Sequence, residues 1–364
     1  MARSQQPDSN RSGRLFSEGP PFRIVQLGSD AARRQSDNLR ILRSLLSESE
    51  NMYPGIDRWY LEKVLPGLRS SERLAYLAFE NECPVASAVL KLGEHAKFCH
   101  VRVAKDFQDA SLGQMIFTQM AFHARHVKGV EDIHFTLPES LWSEKAEFFR
   151  SFGFEAAVKA ARQYRAGEDE LFCSAETSTV WNHAVKRLYL LDRFAPGGYT
   201  ISDKLLLSVS HKYAERIFEG KKRIEIRKKF SKRWRGRQAV IYSTQPVSAL
   251  MGEVTIAGVD PGSPSEIWER FGENVGCSLE EFQEYVGTAS EIYAIELINI
   301  SPYISPVGIS QISHLINQDL RPPQSFLQVK VNSNDPWSKA ISVASLMHSM
   351  YPSSKPATMR SARR

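Results

Sequence analysis

A short segment near residue 220 concentrates positive charge around one carboxylate. Residues 220–227 read Gly-Lys-Lys-Arg-Ile-Glu-Ile-Arg, and this alternation of isoleucine with charged residues predicts a β-strand. Arg223, Glu225 and Arg227 would share one face of that strand, with Lys222 just before it. The Glu225 carboxylate would then hold its neighbours through charge-assisted hydrogen bonds. Guanidinium groups fixed in this way suit the recognition of a phosphate or a nucleobase better than mobile lysines do.

The next ten residues carry a looser group of cations. Between residues 212 and 237 the chain has twelve Lys or Arg against three Glu, and half of those cations are Lys228, Lys229, Lys232, Arg233, Arg235 and Arg237. In a loop around Trp234 they would attract phosphates without sequence preference, and salt would weaken the attraction. Trp234 and Tyr242 could stack on bases. The alternatives are that both rings pack in the core and that the charges form a plain solvated face.

A second candidate site lies in residues 100–117, where an apolar strand leads through a short polar loop into an amphipathic helix. The first N–H groups of a helix have no partner within it, and they favour a bound phosphate. The small residues Ala110, Ser111 and Gly113 would let a pyrophosphate approach the main chain. Strand–loop–helix connections are common, so this pattern is weak evidence without its context.

Transfer of a group to an amine at this second site would need a proton acceptor. By location the candidates are His100 on the strand and Glu94 and His95 just before it. Each of the three could instead be an exposed hairpin residue without a chemical role.

Composition limits the class of protein. The 364 residues are enough for two domains, and 42% hydrophobic with 24% charged residues is typical of a globular protein. The four cysteines are scattered, which favours a reducing cytoplasm and predicts neither a metal site nor a disulfide framework. No apolar run is long enough to span a membrane, and the polar start lacks the apolar core of a secretory signal.

Residue composition and periodicity divide the chain into five segments, and their helices and strands predict an α+β protein. We expect a disordered tail at 1–21, a domain of alternating helices and strands at 22–174, and a helical linker at 175–202. A strand-rich small barrel would follow at 203–330, and a basic tail at 331–364. No internal repeat is visible.

The first domain resembles the Gcn5-related N-acetyltransferase (GNAT) family across residues 24–173. The resemblance lies in the order of helices and strands and in Gln108-Asp109-Ala110-Ser111-Leu112-Gly113, which matches the family signature Arg/Gln-x-x-Gly-x-Gly/Ala. It implies a mixed sheet with flanking helices and acetyl-CoA as co-substrate. The amides from Gln108 to Gln114 would hold the pyrophosphate, and the pantetheine would pair along the strand from Val101 to Val103.

Two residues depart from the family pattern. Ser111 stands in place of the first glycine of the signature, where the backbone approaches the phosphates. Phe149 stands where many members have a tyrosine that protonates the departing CoA thiolate, and it has no hydroxyl. Water or Tyr164 would have to serve instead.

The second domain resembles the ASCH domain, a relative of the PUA RNA-binding barrel, over about residues 203–328. The resemblance lies in the Gly-x-Lys-x-x-Glu-x-Arg motif of residues 220–227 and in several separated segments, among them "RGRQAVIYST", "GEVTI" and "PPQSF". It implies that RNA or a nucleotide-like ligand binds at Lys222, Arg223, Glu225, Arg227, Trp234 and Tyr242.

One branch of the ASCH superfamily hydrolyses acetylated cytidine with a lysine, a threonine and a glutamate. Lys222 is similar to that lysine, but Glu225 stands where the threonine would be. Glu269 or Glu273 could supply the carboxylate, and some ASCH relatives are ribonucleases.

The sequence therefore favours an acetyl-CoA-dependent N-acetyltransferase whose barrel binds RNA or a nucleotide-like ligand and positions an acceptor amine. The alternatives are a non-enzymatic RNA-binding regulator that senses acetyl-CoA, and a hydrolase or ribonuclease centred on the barrel.

Overall fold

The computed structural model describes residues 22–29, 36–80, 82–108, 111–155, 159, 169–188, 203–330 and 334–349. Within these residues the chain forms two six-stranded sheets with helices packed on them. The α+β class and the presence of two sheets confirm the fold predicted from the sequence. No helix in these ranges is long and apolar enough to cross a membrane.

The first sheet follows chain order. Its strands are β1 (Arg23–Leu27), β2 (Arg73–Glu80), β3 (Cys83–Lys91), β4 (Ala96–Val103), β5 (Asp132–Pro138) and β6 (Glu170–Glu176). All neighbouring pairs are antiparallel except β4 and β5, which are parallel. The parallel pair requires a crossover, and the helix that follows the 100–111 region supplies it.

Helices cover both faces of this sheet. They are α1 (Ser36–Ser47), α2 (Ile56–Trp59), α3 (Leu65–Arg69), α4 (Leu112–Phe122), α5 (Glu139–Arg150) and α6 (Thr177–Val185), with π-helical turns at Tyr60–Val64 and His123–Val127. The first three pack on one face, where α1 buries Leu42, Leu45 and Leu46. The other three pack on the opposite face, where α4 is buried along most of its length.

The second sheet has the order β12-β7-β9-β10-β11-β8. Its strands are β7 (Lys204–Val209), β8 (Ile224–Arg227), β9 (Gln238–Ser243), β10 (Ala249–Gly262), β11 (Ile292–Gly308) and β12 (Phe326–Val329). Three register shifts interrupt the long β10–β11 pair. Bulges of this kind bend a sheet, as a half-barrel requires.

Five helices accompany the second sheet: α7 (His211–Phe218), α8 (Pro264–Val275), α9 (Leu279–Val286), α10 (Ile309–Ile316) and α11 (Pro336–Ser349). Capping boxes at Ser263 and Ser278 satisfy the first amides of α8 and α9. These two helices cover Ile224 and Ile226 of β8.

Two helices lie in segments that the sequence interpretation placed outside the two domains. Helix α6 lies in the segment predicted as a linker, but Val180 and Trp181 are buried in the core of the first domain. Helix α11 lies in the segment predicted as a basic tail, but it packs with Trp337 and Ile341 buried. In both segments the apolar residues at helical spacing form a buried face, although the residues around them are largely polar.

The two domains share one hydrophobic core. The same buried cluster contains Met120 and Trp181 from the first domain and Leu315 and Trp337 from the second. The Trp181 indole Nε1 donates to the carbonyl oxygen of Leu315 in α10 at 3.0 Å. This contact joins the helices that cover the first sheet to those beside the second.

Candidate functional site

The first candidate site is the gap between β4 and β5. The two strands pair only at Ala96–Ile133 and Lys97–His134, and they separate beyond those residues. Strand β4 remains paired with β3 on its other edge, through a bulge where Val89 pairs with His100 and Leu90 pairs with Phe98. Among the residues that the structure describes, the β5-facing edge of β4 from Phe98 onward therefore has no strand partner.

The residues after β4 lead from this open edge to the start of α4. A 3₁₀ turn at Lys105–Phe107 is followed by Gln108, whose side chain donates to the Val103 carbonyl at 3.3 Å. The Lys145 ammonium of α5 donates to the Gln108 amide oxygen at 3.3 Å. Gln108 thus closes the end of the gap from the loop side. Asp109 and Ala110 lie outside the described residues.

Helix α4 begins at Leu112, directly after Ser111. Ser111 has φ 62° and ψ 7°, a left-handed conformation that favours glycine, and its side chain makes no capping hydrogen bond. The first amides of the helix, those of Leu112, Gly113 and Gln114, have no acceptor within the helix. Glycine would adopt this conformation without strain.

Gly113 has room beside it. A Cβ atom at this position would lie 3.6 Å from a ring carbon of Phe148 and 3.8 Å from a methyl group of Val103, both ordinary contact distances. Packing within the protein therefore does not require glycine here.

Phe149 belongs to an aromatic cluster on α5. Its ring stacks on Trp142 with centroids 5.6 Å apart and lies 5.0 Å from Phe135. The ring is half-buried and carries no proton donor. Tyr164, the predicted substitute, lies outside the described residues.

His100 lies on the face of β4 that α1–α3 cover. It pairs with Val89, whose side chain belongs to that core, and paired residues of neighbouring strands point to the same face. Its Nε2 is 3.0 Å from the hydroxyl of Ser87. Burial, together with the nearby Arg102 guanidinium, lowers the pKa of His100 to about 4. A neutral imidazole with so low a pKa is a weak proton acceptor for an ammonium group.

Glu94 and His95 are not near the open part of the gap. Both are exposed in the turn before β4, at the end of the strand where β4 and β5 are still paired. His95 is instead 3.3 Å from the Asp132 carboxylate. The structure thus brings His100, Val101 and Val103 beside the gap but leaves Glu94 at the opposite end of the strand.

The second candidate site is the charged motif of β8, and it is buried. The Lys222 ammonium lies 3.2 Å from one carboxylate oxygen of Glu225, and the Arg227 guanidinium lies 2.9 Å from the other. Lys222 also donates to the carbonyl oxygens of Ile224 and Val275, each at 2.8 Å. Three protein oxygens therefore lie within 3.2 Å of the ammonium nitrogen.

Arg227 connects the two edge regions of the second sheet. It donates to the carbonyl oxygen of Ser208 in β7 at 2.7 Å, and to both oxygens of Ser325, just before β12, at 3.2 and 3.3 Å. Its Nε has no partner among the described atoms. The geometry of this guanidinium group fits a role in closing the half-barrel.

Three of the predicted ligand residues do not stand where the sequence interpretation put them. Arg223 is exposed and lines a groove with Phe218 and Phe271 rather than joining Glu225. It precedes β8, so strand alternation does not orient its side chain. Trp234 and Tyr242 are only 5% and 6% exposed, and both pack in hydrophobic clusters, so neither ring is open to a base.

An open cavity of about 1030 Å³ lies beside the buried motif, between α7 and α8. Its lining includes Glu269 and Glu273, the carboxylates considered from the sequence, together with Arg216, Lys221, Trp268 and Cys277. Burial is the main cause of the raised pKa of the Cys277 thiol. Lys221 belongs to the sequence motif, whereas the other residues that face the cavity lie on α7, on α8 and in the turn that follows α8. Among the described residues, no group of three or more His, Cys, Asp or Glu could hold a metal ion.

Comparison with known proteins gives one family match. The family model described as "ASCH domain" matches residues 207–302. An ASCH domain-containing ribonuclease of Zymomonas mobilis is 26% identical over 121 residues, which are 33% of this chain and 80% of that protein.

Solved structures similar to parts of the chain fall into two groups. The ASCH protein of Zymomonas mobilis covers 38% of this chain and 94% of its own, with 23% identity and a TM-score of 0.35. A GNAT-family acetyltransferase of Desulfovibrio desulfuricans, named putative, covers 43% of this chain and 99% of its own, with 14% identity and a TM-score of 0.34. Over residues 207–302 the chain carries an ASCH domain, as the motif at residues 220–227 predicted.

Proposed function

We propose that the chain is an acetyl-CoA-dependent N-acetyltransferase, and that its ASCH domain binds RNA or a nucleotide-like ligand and so positions the acceptor. The observation that supports the first part is the open edge of β4 from Phe98 onward, next to the free amides at the start of α4. An extended chain with amide groups, such as pantetheine, can pair with such an edge. The helix start then suits the pyrophosphate at the end of that chain.

The reaction would be direct attack of a neutral amine on the thioester. A carbon–nitrogen bond forms, the carbon–sulfur bond breaks, and CoA leaves as the thiolate. Backbone N–H groups along the open edge of β4 would stabilise the oxyanion, and binding both reactants side by side would supply most of the rate. The proton lost by the amine would pass to water, because the low pKa of His100 makes its imidazole a weak acceptor. Water would also protonate the thiolate, because Phe149 cannot.

Thermal unfolding in the presence of acetyl-CoA and of desulfo-CoA tests the binding step. A ligand present at 100 times its Kd stabilises the folded state by about 2.7 kcal/mol, which gives a clear rise in Tm. We expect both ligands to raise Tm. If neither does so at millimolar concentration, the acetyltransferase proposal loses its basis.

The absence of a hydroxyl at Phe149 favours a second candidate function, an acetyl-CoA-binding regulator without turnover. Release of free CoA in the presence of a panel of amines separates the two. The panel should contain polyamines, peptides, nucleosides and total RNA. Ligand-induced stabilisation without CoA release from any acceptor would favour the regulator.

The cavity between α7 and α8 favours a third candidate, hydrolysis or RNA cleavage in the ASCH domain. The relative in Zymomonas mobilis is named a ribonuclease. Incubation of labelled RNA with the wild type and with Glu273→Gln tests this candidate. Cleavage that disappears in the variant would favour it, and intact RNA in both would exclude it under those conditions.

A further inference from the structure

The six cations between residues 228 and 237 form an exposed surface, which we name the basic ridge. Its members are Lys228, Lys229, Lys232, Arg233, Arg235 and Arg237, and all six side chains are exposed. The ion pairs found between described residues involve none of them. Unpaired like charges at this density repel one another, and a polyanionic partner would remove that cost.

Several neighbouring cations on the same domain form ion pairs, unlike those of the basic ridge. Lys221 lies 2.9 Å from the carboxylate of Glu219, and Lys212 forms an ion pair with Glu281. Arg270 lies 3.6 Å from a carboxylate oxygen of Asp260. Among the described residues Arg223 also lacks an ion pair, but the basic ridge places six such cations within ten residues.

The backbone of the basic ridge is held in place. Trp234 is buried in the core of the half-barrel, and it is the last residue of a 3₁₀ turn at Lys232–Trp234. Gly236 N–H donates to the Ile256 carbonyl at 2.7 Å, and Ile256 N–H donates to the Arg237 carbonyl at 2.9 Å. The cations thus project from an ordered loop, so binding pays little backbone ordering cost.

An exposed aromatic ring adjoins the basic ridge. Tyr285 of α9 is 46% exposed, and its hydroxyl donates to the Ile226 carbonyl at 3.2 Å. The Lys228 ammonium lies 5.5 Å from the ring centroid. Cations that follow a phosphate backbone, next to a ring on which a base can stack, are typical of proteins that bind single-stranded nucleic acid. A membrane surface would instead need apolar side chains pointing outward, but Trp234 points inward.

We propose that the basic ridge binds the phosphodiester backbone of a single-stranded nucleic acid, and that Tyr285 stacks on one of its bases. The buried cations Lys222 and Arg227 hold the half-barrel together and do not touch the ligand. This inference rests on the proposed nucleic-acid binding by the ASCH domain, and it assigns the contacts to residues outside the family motif.

The test is equilibrium binding of a fluorescent poly-uridine RNA to the full chain between 50 and 200 mM salt. Six phosphate contacts with a single strand predict that affinity falls about 300-fold over this range, and four contacts predict a fall of about 50-fold. We therefore expect the smaller fall for the double variant Lys229→Gln with Lys232→Gln. The matched control is Lys63→Gln with Arg69→Gln, which removes two exposed cations from the first domain and should keep the wild-type salt dependence.

Further ligands decide the class of partner. Single-stranded DNA of the same length separates recognition of the phosphodiester backbone from recognition of ribose, and Tyr285→Ala should weaken either single strand without changing the salt dependence. Preference for duplex RNA or for phosphatidylserine vesicles would overturn the inference. So would equal salt dependence in the ridge variant and the control, or no binding of RNA at all. The acetyl-CoA thermal shift is read independently, so failure here remains distinct from failure of the acetyltransferase proposal.

Discussion

The charged motif of β8 and the open edge of β4 differ in what the fold leaves unused. In the motif, the protein itself occupies the hydrogen-bonding groups of Lys222 and most of those of Arg227. At β4, backbone groups beyond Lys97 face a gap because β5 has separated from the strand. A charged motif that is easily recognised in the sequence can therefore have a purely structural role. A ligand site is better indicated by backbone groups that form no hydrogen bond within the protein.

The largest effect is expected from removing the carboxylate at the centre of the motif. Glu225→Ala leaves two buried cations without their counter-charge, and we expect the free energy of unfolding to fall by about 3–5 kcal/mol. Glu296→Ala is the control, because Glu296 is exposed on the neighbouring strand, and such substitutions stay within about 0.5 kcal/mol. Urea unfolding measures both.

Equal stability of Glu225→Ala and Glu296→Ala would contradict the structural role of the motif. A second measurement compares the motif with the gap directly: folded Glu225→Gln should still show the wild-type shift in Tm with acetyl-CoA. That result would show that the motif and the gap act separately.

Acid should reveal that two histidines of the first domain, His100 and His123, are buried. The pKa of His100 is lowered to about 4 by burial and by Arg102, and that of His123 is lowered to about 4 by burial. In the unfolded chain both imidazoles have a pKa near 6.5, so they take up protons there before they do so in the folded protein. The two histidines therefore contribute their full stabilisation above pH 6.5, and the free energy of unfolding decreases as the pH falls from 6.5 to 4. Each histidine contributes up to about 3 kcal/mol to this loss.

Urea unfolding between pH 7.5 and 4 measures the acid effect, and His100→Gln should remove part of the slope. If wild type and variant lose stability equally between pH 6.5 and 4, the imidazole of His100 is accessible to protons in the folded state. It would then be a better candidate for the catalytic base than the structure indicates.

The smallest effect is expected at Ser111. Ser111→Gly relieves a left-handed backbone conformation, and after the larger unfolded-state entropy of glycine is counted we expect a gain of about 0.5–1 kcal/mol. Ser70→Gly is the control, because Ser70 has φ −86° and the change should destabilise the protein. A loss of stability at both positions would contradict the backbone conformation described for the start of α4.

The sequence predicted what depends on local pattern. Alternating residues located β8, helical spacing located α4, and the ASCH motif identified the second domain. The fates of Trp234 and Tyr242 were not predictable, because aromatic rings beside cations serve equally well as core and as stacking platforms. The separation of β4 from β5, the placement of Lys222 against Val275 and the covering helix α11 depend on contacts between distant parts of the chain.

Hydrogen–deuterium exchange with and without acetyl-CoA tests the central claim most directly, because it reports which amides the ligand covers. We predict slower exchange confined to the open edge of β4 from Phe98 to Val103 and to the first amides of α4 at Leu112, Gly113 and Gln114. Unchanged exchange at these amides with protection in the second domain, or no protection anywhere at saturating acetyl-CoA, would contradict the account.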